Sequence, residues 1–481
     1  ACYRVGDLAG VSGLERLGEN MLRGRRGYED RLLDGSVKSH AAAIDGLDVK
    51  LTLDLDLQRE IGELLAQTVK VNPPSTGASC VVIDVESREV LALASVPTFD
   101  PRTLDETYAS LRDDARTCPP RFRAVAEEYQ PGSILKPVSL LAGMTNGLIN
   151  PADRVFCDGQ FIPGSKKWHC WTHWRNMPGH GNMNAEESLQ HSCNVYFYTL
   201  GQKTGARRLT DFYRRFILGP QWNISATRST GLIEERFGLI PTPEWIKRNR
   251  KRDFGQADGR NYAIGQGEMQ ITPLQAANMF ATLATGAYRD PTLVAKSNTA
   301  ENEQIDRPAI PIEGVTDEQW RIMRRGLFRC VNEEGGTAFK HAHMDNLLVC
   351  GKTGSAECVP RVVESRYTFD SDGKGTLVAA DGPSEEAARE VLGISSKAKR
   401  VSRESRKFWP VAADAKSVPT HAWFAGFAPY DHPRIALAVI IEYGGGGGNT
   451  AGPVGRKIFE LLMASPHDYL RPRSGPKLAA R

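Results

Sequence analysis

No apolar run in this 481-residue chain reaches the ~18 residues that would suggest a membrane span. Charge of one sign is scarce as well. The 61 basic and 57 acidic residues leave a formal net charge of +4. That excess, with no basic stripe interleaved with aromatics, argues against a nucleic-acid partner. Nine cysteines, an odd number in so long a chain, exclude a disulfide-stapled miniprotein. Repeats are absent. A phosphate loop is absent too. Gly351-Lys352-Thr353 would need a glycine at position 346, where Asn346 stands, and no G-K-[ST] follows Gly444–Gly448.

Hydrophobic residues make up 41% of the chain, enough for a real core. The chain opens at Ala1 directly on motif-like sequence, so it is expected to be a fragment whose native N-terminus lies upstream. Residues 1–48, Gly- and Arg-rich, read as the remnant of a preceding domain. Alternation at Val49, Leu51, Leu53 and Leu55 predicts a strand, and helical spacing follows at Leu57, Ile61, Leu64 and Leu65, with Asp54 or Asp56 as cap. Cys80–Val85 and Glu89–Val96 predict a hairpin around Glu86-Ser87-Arg88. A helix is predicted over Ser133–Met144, and a mostly helical region over 183–290. Strands return at Leu347–Gly351, His421–Ala428 and Arg434–Glu442, before a last helix at Gly455–Met463. Gly444–Gly448 reads as a flexible loop before that helix. Strands near both ends around a helical insert predict an α+β fold, with one main domain over 49–466. The segment 360–416, rich in Ser, Gly and charge, reads as a solvated, mobile insertion, and 467–481 as a frayed polar tail.

Three short strings carry the chemistry. Ser133-Ile134-Leu135-Lys136 places a hydroxyl and an amine on one helical face, the arrangement of a nucleophile beside its base. Lys136 can take a proton only when neutral. Burial, the positive end of the helix and a second cation, Lys352, would all favour that state. In Ser192-Cys193-Asn194 the outer residues share a direction. Ser192 can bridge the lysines and relay a proton, and Asn194 can hold Lys136 and a substrate amide. Lys352-Thr353-Gly354-Ser355 follows an apolar run and reads as the end of a strand. Gly354 would leave room for a peptide added along that strand, and Thr353 and Ser355 can hold a terminal carboxylate. Backbone N–H groups of Ser133 and Ser355 would form an oxyanion hole. The triple S-x-x-K, S-x-N and K-T-G is the set of serine β-lactamases and penicillin-binding proteins.

Longer stretches extend the resemblance. Gly10-Val11-Ser12-Gly13-Leu14-Glu15, Leu51–Gln58, Ile264-Gly265-Gln266-Gly267 with Thr272-Pro273-Leu274-Gln275, and His421-Ala422-Trp423-Phe424 through Ala428-Pro429-Tyr430 resemble class B penicillin-binding proteins. The last string is most similar to the elongation-type, penicillin-binding protein 2-like branch. The resemblance implies the penicillin-binding/serine β-lactamase-like transpeptidase fold, an antiparallel sheet flanked by helices with a helical subdomain. It implies a D,D-transpeptidase that cross-links peptidoglycan stem peptides through a Ser133 acyl-enzyme and is acylated by β-lactams. It also implies an N-terminal membrane anchor, a catalytic domain outside the cytoplasmic membrane, and SEDS-family glycosyltransferase and MreC-like partners. Two features depart from the family: most of the N-terminal pedestal is absent, and the segment between Gly354 and His421 is long.

Cys157, Cys170, His180 and Cys193 form C-x12-C-x9-H-x12-C, three thiolates and an imidazole, a full tetrahedral zinc set. Cys193, between two cleft residues, would face away and let an ion brace their loop. The resemblance implies zinc in this region, with His180 and Cys193 matching its spacing. The alternatives are a Cys157–Cys170 disulfide and buried free thiols. His169 and His173 read as surface residues, either of which can replace His180 as ligand. The chemistry itself needs no cofactor. Two other readings of the chain stand beside the transpeptidase: a serine β-lactamase or β-lactam sensor, and a catalytically dead scaffold.

Overall fold

The computed structural model describes residues 9–72, 75–114, 117–165, 167–216, 230–295, 308–358, 362–369, 375–377, 405–410 and 419–471. The first part of the chain gives α1 (Gly13–Leu22), the hairpin β1 (Tyr28–Arg31) and β2 (Val37–Ala41), and α2 (Leu55–Val71). β3 (Ala78–Asp84) and β4 (Val90–Val96) form the predicted hairpin. Next come α3 (Leu104–Asp113), α4 (Arg123–Ala126), a 3-10 turn at Gly132–Leu135 and α5 (Lys136–Thr145).

Short elements then alternate: β5 (Val155–Cys157), α6 (Trp171–Trp174) and β6 (Gly181–Met183). The helical middle follows with α7 (Ala185–Gln190), α8 (Asn194–Thr204), α9 (Ala206–Tyr213), α10 (Pro243–Arg250), α11 (Gln256–Ala263) and α12 (Pro273–Thr285). The small pair β7 (Ala287–Tyr288) and β8 (Ile310–Pro311) precedes α13 (Asp317–Asn332) and α14 (Phe339–Ala342). The last strands are β9 (Cys350–Glu357), β10 (Val362–Phe369), β11 (Gly375–Leu377), β12 (Ser405–Pro410), β13 (Thr420–Ala428) and β14 (Ile435–Ile441), before a C-terminal helix, Ala451–Ala464.

The main sheet has the order β4-β3-β14-β13-β9 and is antiparallel throughout. β3 and β14 are buried on both faces, which is why they read as continuous apolar runs. Strand alternation sends Val81 and Ile83 into the core shared with α5, α8 and α12. Cys80 and Val82 go into a second core under α2 and the C-terminal helix. The expected α+β architecture is therefore one sheet between two helical layers. β9 sits at the sheet's end, so one of its edges has no strand partner among the described residues.

Several boundaries differ from the sequence reading. Val49–Leu55 is not a strand. Leu51 makes only an isolated bridge to Val294, and the chain enters α2 at Leu55 because the Asp54 side chain accepts from the N–H groups of Asp56 and Leu57. Leu347–Val349 lies before β9, which starts at Cys350, so the Lys352–Ser355 string is inside a strand. The start of the predicted tail is anchored: the Tyr469 hydroxyl donates to Asp54 Oδ2 at 2.7 Å. Within 360–416, β10 pairs with β11 and β12 in a separate three-stranded sheet, while the remainder of that segment, like 472–481, lies outside the described residues.

Candidate active site

Ser133 stands on the 3-10 turn that opens α5, and the turn is clamped on three sides. Gly132 has φ +54°, and its N–H donates to the Gly265 carbonyl at 2.8 Å. A Cβ on Gly265 would collide with the Gly132 carbonyl oxygen, so the Ile264–Gly267 string exists to let two backbones touch here. Tyr129 and Ile271 exchange backbone hydrogen bonds at 2.9 Å, and the Trp423 indole donates to the Gln130 carbonyl at 3.0 Å. On the third side Gly354 meets the turn. A Cβ there would lie 3.1 Å from Ile134 Cγ2 and 3.3 Å from the Pro131 carbonyl. Glycine at 354 therefore admits the nucleophile turn against β9, a different reason from room for an added peptide.

Lys136 is fully buried one turn after Ser133. Its Nζ lies 2.8 Å from the Ser192 carbonyl oxygen, 3.1 Å from Ser192 Oγ and 2.7 Å from Asn194 Oδ1. Burial, then the nearby Lys352 ammonium, pushes its pKa down to about 7. A neutral amine can donate to the two carbonyl-type oxygens and keep its lone pair free to accept a hydroxyl proton. Ser192 holds φ +53°, a left-handed conformation that costs a serine roughly 1–2 kcal/mol. That conformation aims both its carbonyl and its hydroxyl at Lys136.

Lys352 is also fully buried, and burial lowers its pKa; its Nζ donates to the Thr353 carbonyl at 3.1 Å. Thr353 Oγ1 is 2.7 Å from Thr337 Oγ1, and Ser355 Oγ accepts from the Gly447 N–H at 3.2 Å. Ser133, Ser192, Asn194, Thr353 and Ser355 line one cleft of about 310 Å3. Of the eight candidate residues these five line the cleft; Lys136 and Lys352 are fully buried, Lys136 reaching it through Ser192 and Asn194, and Gly354 packs against the nucleophile turn.

Sequence reasoning missed much of the cleft. Lys167, His169, Trp171, Trp174 and Arg175 form one wall, and Gln266, Thr337, Glu357 and Gly446–Asn449 complete it. The Gly444–Gly448 stretch, read as a simple connector, is part of the site. His169 is buried, not superficial: its ring stacks on His173 at 3.9 Å, and its carbonyl accepts from Asn194 Nδ2 at 3.3 Å.

Behind the cleft, Cys157, Cys170, His180 and Cys193 bring their ligand atoms within 4.8 Å of one another, and among the described residues no other such cluster occurs. The pairing of β5 with β6 puts Cys157 opposite Gly181, next to His180. His180 Nδ1 is 3.6 Å from Cys157 Sγ and 3.4 Å from Cys170 Sγ. A tetrahedral zinc site with ordinary bond lengths has nitrogen–sulfur edges of about 3.5 Å, so these residues fit the ion. The Asn194 N–H donates to Cys170 Sγ at 3.3 Å, and Cys193 is the N-cap residue of α8, its side chain making no capping bond and turned to the cluster instead. Contacts with Cys157 and Cys193 hold Cys170 far below the usual thiol range. Burial works against charge on His180, but hydrogen bonds to Cys157 and Cys170 outweigh it and raise its pKa to about 9. No disulfide joins Cys157 to Cys170. His169 and His173 are outside the cluster.

The comparisons agree with this geometry. A family model for the penicillin binding protein transpeptidase domain matches residues 78–378. The peptidoglycan D,D-transpeptidase MrdA of Haemophilus influenzae is 28% identical over 94% of this chain, which spans 63% of that relative's length. The Escherichia coli K12 MrdA is 28% identical over 98% of this chain and 67% of its own. The crystal structure of Pseudomonas aeruginosa PBP2 with WCK 5153 superposes with a TM-score of 0.69 at 27% identity, covering 96% of this chain and 86% of that one. With the three strings meeting at one cleft inside the matched region, the chain belongs to the penicillin-binding protein transpeptidase family and resembles its PBP2-like members.

Proposed function

We propose that this chain carries the D,D-transpeptidase activity of peptidoglycan elongation. The observation that supports it most is the buried Lys136, one turn after Ser133, its pKa lowered to about 7 and its amine held by Ser192 and Asn194. A stem peptide ending in D-Ala-D-Ala lies along β9, its carboxylate at the Thr353 and Ser355 hydroxyls. Lys136 accepts the Ser133 proton as Oγ attacks the penultimate D-Ala carbonyl. N–H groups of Ser133 and Ser355 receive the developing oxyanion. As the C–N bond breaks, a proton passes through Ser192 to the departing D-Ala amine. The amine of a neighbouring stem peptide then attacks the acyl-enzyme, loses a proton to Lys136, forms the cross-link and returns Ser133 its hydrogen. A β-lactam enters the same path and stops at the acyl-enzyme.

A zinc ion held by Cys157, Cys170, His180 and Cys193 supplies no step of this chemistry; it braces the turn that carries Ser192 and Asn194. One mole of zinc per mole of purified protein is expected. Its absence, with Cys193→Ser folding and acylating normally, would end the metal assignment. The site of action is placed outside the cytoplasmic membrane, where stem peptides are, with anchoring by a segment upstream of this chain. Among the described residues no helix is long and apolar enough to cross a membrane. Partners of the MreC and SEDS glycosyltransferase kind are proposed on the elongation-type motifs. A PBP2 of Helicobacter pylori with this fold is described in complex with MreC.

The test is intact-mass analysis after penicillin treatment, with peptide mapping. A stable adduct on Ser133, lost in Ser133→Ala, is expected. Rapid turnover of penicillin would replace the transpeptidase reading by a β-lactamase.

A further inference from the structure

Glu357 lines the cleft but has no part in the steps above. It is the one acidic residue among those lining the space around Ser133. Strand alternation places it on the same face of β9 as Thr353 and Ser355. Its side chain reaches the cleft's water, yet the surrounding walls desolvate its carboxyl enough to raise its pKa, and no neighbouring cation offsets that. Among the described residues no Lys or Arg pairs with it. The other charges lining the mouth, Lys167 and Arg175, come from the 167–175 wall, and Arg175 lies over the Trp171 ring at 5.2 Å. Among the described residues lining the cleft, an ammonium group entering it therefore finds an opposite charge on the β9 side alone.

The direction of the donor peptide decides which ammonium. In the transpeptidase reading its carboxylate sits at the Thr353 and Ser355 hydroxyls and its reactive carbonyl at the Ser355 N–H, so the preceding residues run toward Glu357, antiparallel to β9. Two strand residues span about 7 Å, a step that an extended amine-bearing side chain covers. We infer that Glu357 binds the side-chain ammonium of the third stem residue of the donor, making it the determinant of selectivity for a diamino acid at that place. This rests on the transpeptidase reading above and names part of its substrate.

The experiment uses thioester donor analogues that differ only at the third residue, lysine, norleucine or glutamate, and compares their kcat/KM ratios in each protein, which cancels general damage to the site. The wild type is expected to prefer lysine by about tenfold, in the range of a charge-assisted hydrogen bond in a partly desolvated site. Glu357→Gln should erase that preference, Glu357→Asp should keep part of it, and Glu357→Lys should turn it toward a glutamate-bearing donor. A lysine preference that survives Glu357→Gln would overturn the inference. So would a change confined to partition of the acyl-enzyme between acceptor amine and water, since Glu357 would then act on the acceptor. A stoichiometric penicillin adduct in every variant shows that Ser133 is competent. Penicillin acylation with no donor turnover at all would instead overturn the transpeptidase reading, and this inference with it.

Discussion

The two walls of the cleft reach the same precision by different means. The β9 wall is registered by a backbone ladder: eight residues from Cys350 to Glu357 pair in order with Phe427 back to Thr420. The facing wall, from Cys157 to Asn194, has the three-residue pairing of β5 and β6, the short helices α6 and α7, and bends. There the chain is held by sulfur and imidazole side chains. A ladder distributes its constraint over many bonds, so one change is absorbed. A four-ligand cluster concentrates it, so one lost ligand releases the wall.

Lys136 is where the walls meet, since it touches one through Ser192 and Asn194 and feels the other through Lys352. Its removal is the largest break: Lys136→Ala should slow penicillin acylation by about 10²–10⁴-fold, the range of a lost general base, measured as the second-order rate constant. Loss of the cluster comes next. Chelation, or Cys193→Ser, should slow acylation by about 100-fold through sub-ångström displacement of Ser192 and Asn194. It should also raise proteolytic cleavage in 157–181. Equal protease resistance with and without chelator would mean that the two walls are held alike. A third test varies pH. Below about 7 the Lys136 amine is increasingly protonated and cannot accept the Ser133 proton, so acylation should fall about tenfold from pH 8 to pH 6. In Lys352→Ala the midpoint should rise, because the repelling cation is gone. The smallest effect is expected on the laddered wall. Gly354→Ala, whose Cβ would meet Trp423 Cβ at 3.0 Å, should lower stability by about 1–3 kcal/mol. Denaturant unfolding measures it, and chelator should not change that increment.

The difference between the walls also explains what could be read in advance. Ser133, Lys136, Ser192, Asn194 and Lys352–Ser355 were legible because each group lies within one turn or one strand, where spacing alone aligns side chains. The same holds for the β3–β4 hairpin and for the Asp54 cap. Trp171, Trp174 and Arg175 carry no such period, since the fold of their segment depends on side chains meeting at Cys170 and His180. Gln266, Thr337, Glu357 and Gly446–Asn449 arrive from separate stretches, and no local pattern announces their meeting. Leu347–Val349 misled because apolar content marks burial and not pairing: Leu347 and Val349 are buried without joining the ladder, and Leu348 between them is exposed. His169 misled in the opposite sense: a polar ring among aromatics is buried through stacking on His173.

The ladder of β9 and β13 runs one bond further than its paired residues. Directly past the Glu357–Thr420 pair, the Cys358 N–H donates to the Pro419 carbonyl at 3.0 Å. Residues 359–418 thus leave and rejoin the catalytic sheet through two adjacent strand ends. Closing a longer loop between fixed ends costs only about 0.6 kcal/mol per doubling of its length. The junction is accordingly a socket, at which descendants of this protein can lengthen, replace or shed an accessory module while the cleft beside it keeps its shape.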